Sequence, residues 1–74
     1  SRFCLKEDSR KLYALLGEVL TERERTVLIM RYGLYNRKEY TQREIAQMLG
    51  ISRSYISRIE KTALQKLREH FLQE

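Results

Sequence analysis

Seventy-four residues with 15 Lys+Arg against 10 Asp+Glu, no Pro, no Trp, one Cys and three Gly leave room for one small core and not for a second. No run of ten uncharged apolar residues occurs, so no segment can cross a membrane as a helix and none resembles a signal peptide. Cys4 with His70 falls short of a zinc ligand set. The net charge of +5 favours a polyanionic partner, and the single Cys4 is expected to be a reduced thiol near a frayed end.

Residues 1–7 are expected to form a linker or a frayed N-terminus. Leu12, Leu15, Leu16, Val19 and Leu20 then recur at three- and four-residue spacing and predict a first amphipathic helix over 8–19. Thr21-Glu22-Arg23-Glu24 has the pattern of a capping box, so a second helix is expected over 22–32, with Val27, Leu28, Met30 and Tyr32 on its buried side and Gly33 ending it. A polar loop over 35–39 follows. Capping chemistry returns at Thr41-Gln42-Arg43-Glu44, with Tyr40 placed to staple against Ile45, and predicts a third helix over 41–49. Gly50 turns the chain and Ser52 caps a fourth helix over 52–71, with Ile51 stapling to Ile56. The absence of proline and the wide spacing of the glycines favour this all-α reading over hairpins.

The third and fourth helices carry the functional information. Gln42, Ala46, Gly50, Ile51, Ile56 and Ile59 fall where a helix-turn-helix needs particular sizes: a small Ala46 where the helices cross, a Gly50 free to take positive φ, and apolar Ile56 and Ile59 facing the preceding helices. The fold expected is therefore an all-α, four-helix domain over 8–74 with a C-terminal helix-turn-helix and no wing. At 100° per residue, Ile56, Ile59, Ala63, Leu64, Leu67 and Phe71 share one side of the last helix, and Ser54, Ser57, Arg58, Lys61, Gln65 and Arg68 the other. Between Ser52 and Arg68 five cations oppose the single Glu60, which places +4 of the charge on this stretch.

In a helix-turn-helix the N-terminal residues of the second helix meet base edges in the major groove, so Arg53, Ser54, Tyr55, Ser57 and Arg58 are the candidate readers. Arg53 and Arg58 lead, because a guanidinium pairs with guanine O6 and N7 in two hydrogen bonds. Tyr55 either stacks on a thymine methyl or covers the edge of the core. Lys66 and Arg68 suit a solvated face, whereas Lys61, nearer the helix start, suits a phosphate contact. Glu60 lies inside the apolar stripe and needs a partner there, expected to be Arg31 or Arg43.

The strings Leu20-Thr-Glu-Arg-Glu-Arg-Thr-Val-Leu-Ile-Met-Arg-Tyr-Gly-Leu34, Tyr40-Thr-Gln-Arg-Glu-Ile-Ala46 and Gly50-Ile-Ser-Arg-Ser-Tyr-Ile-Ser-Arg-Ile-Glu-Lys-Thr-Ala-Leu-Gln-Lys-Leu67 resemble region four of bacterial sigma factors. The Gly50–Glu60 run is most similar to the sporulation-specific factors of endospore formers. The resemblance implies the C-terminal domain of a longer cytoplasmic factor that binds core RNA polymerase and recognises the -35 promoter element in double-stranded DNA. It implies base contacts at Arg53, Ser54 and Arg58, with Tyr55 and Ser57 beside them, and DNA backbone contacts at Arg23, Arg31, Thr41, Gln42 and Ser52. Gln42 and Ser52 also sit at helix N-termini, whose amides suit phosphate. Housekeeping members carry Glu in place of Ser54 and Arg in place of Tyr55, so their base preference does not transfer. The resemblance further implies an apolar groove for the flap of the polymerase β subunit, for which Tyr13, Leu16, Tyr32, Leu67 and Phe71 are candidates, and which an anti-sigma protein can also occupy.

Two other classes share part of the pattern. The effector domain of a two-component or quorum-sensing activator opens with a similar Leu-Thr-Glu-Arg-Glu, but normally has a shorter turn before its helix-turn-helix. A purely protein-binding helical module would need no basic face. No nucleophile–base, carboxylate-pair or phosphate-loop arrangement points to an enzyme, and neither a metal nor a cofactor is expected.

Overall fold

The computed structural model describes the backbone of residues 5–72 and the side chains of 12–71. Four helices follow in order: α1 (Leu5–Glu18), α2 (Glu22–Tyr32), α3 (Gln42–Leu49) and α4 (Arg53–Leu72), with a single 3-10 turn at Leu34–Asn36 between α2 and α3. The first helix begins at Leu5, not at Asp8, so three residues expected in the linker are helical. Leu5–Glu7 contains no glycine, proline or β-branched residue to oppose a helix. Cys4 and the rest of that expected linker lie outside the described residues. Val19 falls just past α1, and its amide still bonds to the Leu15 carbonyl at 2.8 Å.

Each helix boundary is set by local chemistry. The Arg25 guanidinium donates to the Leu16 carbonyl at 3.2 Å, satisfying an acceptor that the end of α1 leaves open. Thr21 and Thr41 both form complete capping boxes: each hydroxyl accepts from the amide three residues on, and Glu24 and Glu44 accept in return from the cap amides at 3.0 and 2.8 Å. Gly33 closes α2 in the left-handed conformation, and a side chain there would also meet the Arg37 carbonyl at 2.6 Å. The expected polar loop is more ordered than its composition suggests. Tyr35 and Asn36 both adopt positive φ, 59° and 61°. Asn tolerates this; Tyr does so at a cost on the order of 1–2 kcal/mol. The Tyr35 ring offsets that cost by stacking on Tyr13 of α1, with centroids 4.4 Å apart. The turn is completed by the Tyr40 amide, which reaches back to the Met30 carbonyl at 2.8 Å.

The interior forms two apolar clusters that meet across α2 and α4. Leu12, Leu15, Leu16, Leu20, Leu28, Ala63 and Leu67 make one; Val27, Ile45, Ala46, Ile56 and Ile59 make the other. Adjacent residues Val27 and Leu28 thus serve different clusters, and α4 places its first half in one and its second half in the other. Tyr40 and Ile51 pack on the second cluster, as their staple positions require. Two positions expected to be buried are not. Leu64 lies at the margin of the α4 stripe and is exposed, and Tyr32 is 43% exposed although its hydroxyl bonds to a buried carboxylate described below.

Candidate nucleic-acid interface

The first two turns of α4 are anchored from beneath. Ile56 is fully buried and Ile59 nearly so, which fixes the roll of the helix and turns Arg53, Ser54, Ser57, Arg58 and Lys61 to solvent. Ser52 caps the helix: its hydroxyl accepts from the Tyr55 amide at 3.1 Å and lies 3.3 Å from the Ser54 hydroxyl. Tyr55 is 43% exposed, and the Arg58 guanidinium carbon stands 5.8 Å from its ring centroid. All five expected base readers are therefore on one accessible turn-and-a-half of helix.

The expected backbone contacts divide into two groups. Arg23, Ser52 and Lys61 are exposed. Thr41, Gln42 and Arg31 are instead engaged within the protein. The Thr41 hydroxyl and amide are both used by the capping box, and the Glu44 carboxyl, held below its usual range mainly by the Thr41 amide, puts negative charge at the start of α3. The Gln42 side-chain amide donates to Glu60 Oε1 at 2.8 Å. What α3 still offers a phosphate is main-chain N–H of its first turn.

Glu60 collects donors from two other helices. Besides Gln42 of α3, the Tyr32 hydroxyl of α2 donates to Oε2 at 2.6 Å, and Arg31 Nε lies 3.6 Å from Oε1, an ion pair without hydrogen-bond geometry. Of the two arginines expected for this carboxylate, Arg31 is the one beside it. Burial, and then the hydrogen bond to Glu60, push the Tyr32 phenol above its ordinary range, so it stays protonated and donating. A second buried carboxylate has a matching arrangement: Lys66 Nζ donates to both oxygens of Glu24, at 2.9 and 3.0 Å. Lys66 was expected on a solvated face; the ion pair draws it across onto α2. Burial works to raise the Glu24 carboxyl, but Lys66 and the Thr21 amide outweigh it and hold the group below its usual value.

These shifts predict the pH dependence of stability. Glu24 and Glu44 titrate lower in the folded protein, so their contribution is present above the unfolded value of 4.5 and is lost as pH falls through the folded values. Tyr32 titrates higher, so its contribution is present below its unfolded value and is lost as pH rises through the folded one. The urea midpoint should be level through neutral pH, fall below about pH 4.5, and fall again above pH 10. A midpoint that rises on acidification would contradict this assignment.

The five residues expected to line a partner groove are each engaged within the protein or packed on its core. Leu16 and Leu67 are buried in the first cluster, and Phe71 is half-buried against it. Tyr13 is stacked on Tyr35, and Tyr32 is bound to Glu60. An open groove of about 820 Å³ lies between α2, the 3-10 turn and α3, lined by Met30, Tyr40, Met48, Arg37 and Lys38 among others. Among the described residues no three His, Cys, Asp or Glu are grouped to hold a metal, and no helix is long and apolar enough to cross a membrane.

Residues 18–69 match the family model for region 4 of sigma-70. The chain belongs to the sigma-70 region 4 family. Over 55 residues, 74% of the chain, it is 58% identical to the RNA polymerase sigma-28 factor of Bacillus thuringiensis subsp. kurstaki. It is 57% identical over 54 residues, 73% of the chain, to the RNA polymerase sigma-K factor of Bacillus subtilis. Against the RNA polymerase sigma-E factor of Clostridium acetobutylicum the identity is 50% over 63 residues, 85% of the chain. The chain spans only 23%, 18% and 27% of these proteins respectively. The part matched to sigma-70 region 4 takes in α2, α3 and most of α4, hence both the helix-turn-helix and the two buried carboxylates that tie it to α2. What the sequence did not disclose was the cost of that tie. Gln42 and Lys66 are spent on Glu60 and Glu24, partners 18 and 42 residues away that no local spacing reveals.

Proposed function

We propose that this sigma region 4 domain recognises the -35 element of promoters as the C-terminal part of a sigma factor bound to core RNA polymerase, directing initiation at sporulation genes in the bacterial cytoplasm. The observation that carries the proposal is the exposed cationic and hydroxyl-bearing face at the start of α4, held rigidly by Ile56 and Ile59 beneath it. A helix so mounted presents its first turns to the major groove. Arg53 and Arg58 read guanine edges, Ser54 and Ser57 supply short hydrogen-bonding groups, and Lys61, Arg23 and the Ser52 end of the helix meet phosphates. The domain acts by binding and has no catalytic part. Its contact with the β-subunit flap, or with an anti-sigma protein in its place, uses the exposed edges of Tyr13, Tyr32 and Phe71 rather than the buried Leu16 and Leu67.

Fluorescence anisotropy with the full-length factor on core polymerase, using duplexes that vary one base pair at a time, tests the readers. Arg58→Ala should cost about 1–3 kcal/mol of discrimination at a single base pair, whereas Lys61→Ala should weaken every duplex alike. Uniform losses from both variants would defeat the division into readers and anchors.

A further inference from the structure

We propose that Tyr55 is a positioning residue whose ring orients the Arg58 guanidinium, so that the two side chains read one base pair as a unit. The inference rests on the assignment of Arg58 as a base reader. Residues three apart on a helix are surface neighbours, and here the Arg58 guanidinium carbon is 5.8 Å from the Tyr55 centroid, within the range of cation–π attraction. Tyr55 stays at the surface, 43% exposed, while the neighbouring Ile56 fills the core position. Its backbone is held as well: the Tyr55 amide donates to the Ser52 cap, so the platform stands on the capped first turn of α4. An exposed arginine ordinarily surrenders much rotamer freedom when it forms a two-bond contact with guanine. A ring that limits those rotamers before DNA arrives reduces that loss. The alternative use of an exposed tyrosine here, direct contact with a thymine methyl, would act without Arg58 and at a base pair of its own.

The two are separated by a double-mutant cycle on the full-length factor bound to core polymerase, with anisotropy measured on the duplex panel described above. Tyr55→Phe keeps the ring and should leave discrimination unchanged. Tyr55→Leu should lower discrimination by about 2- to 5-fold at the same base pair that Arg58→Ala affects. The double variant should be no worse there than Arg58→Ala alone. Effects of Tyr55→Leu and Arg58→Ala that multiply, or that fall on different base pairs, would overturn the proposal and leave Arg58 a reader. A uniform loss in Arg58→Ala across the panel would remove the reader assignment itself, and this inference with it. Thermal melting should place all variants near wild type, since both side chains are exposed.

Discussion

Glu60→Ala should destabilise the domain by about 3 kcal/mol, seen as a lower urea midpoint with an unchanged slope. The substitution leaves the Tyr32 hydroxyl and the Gln42 amide without their acceptor, and Arg31 without its counter-charge, at a junction of three helices. The figure is below the largest known for buried pairs because the Arg31 side chain is 37% exposed and partly screened by solvent. Glu60→Gln, which keeps the shape and one acceptor oxygen, should recover a substantial part of the loss. If the alanine variant melts like wild type, the carboxylate is not holding α4 to α2 and α3. On the proposed reading α4 makes the base contacts, so the same variant should also lose DNA discrimination in proportion to its fraction unfolded, and not selectively at one base pair.

Ile56→Ala should have a comparable effect, about 2–5 kcal/mol, since Ile56 is fully buried in the smaller of the two clusters and only a few neighbours can relax into the space. A domain of this size has on the order of 5–10 kcal/mol in total, so the variant should be marginal at 37 °C. Circular dichroism during thermal unfolding measures this directly. Met48→Ala on the exposed side of α3 is the control and should change stability by less than about 1 kcal/mol. Equal losses in the two would mean that the second cluster is not a core.

Local chemistry was legible in the sequence, and long-range pairing only in part. The two Thr-x-x-Glu boxes gave the starts of α2 and α3, because a capping box is complete within four residues. Gly33 and Gly50 gave the helix ends for the same reason. Glu60 stood out as a carboxylate on an apolar stripe, and one of its two expected partners, Arg31, is indeed beside it. Tyr32 and Gln42 were not anticipated there, since exposure and hydrogen-bond direction depend on how α2 and α3 are placed against α4. The Tyr35–Asn36 turn escaped because no composition rule puts tyrosine at positive φ; only the stack on Tyr13, more than twenty residues earlier, makes it tolerable. The exposed face at the start of α4 was legible because the Ile56–Ile59 register decides which side of that stretch meets solvent.

The Glu24–Lys66 pair changes how much condensed sodium or potassium α4 can displace from a duplex. Lys66 is already neutralised by a carboxylate of the same molecule, so of the five cations on this helix only Arg53, Arg58, Lys61 and Arg68 remain to replace condensed ions. Each phosphate neutralised contributes about 0.9 to the dependence of log affinity on log salt, which caps the share from α4 at roughly 3.6. On the proposed DNA-binding reading, any grip beyond that share at physiological ionic strength has to come from contacts outside α4.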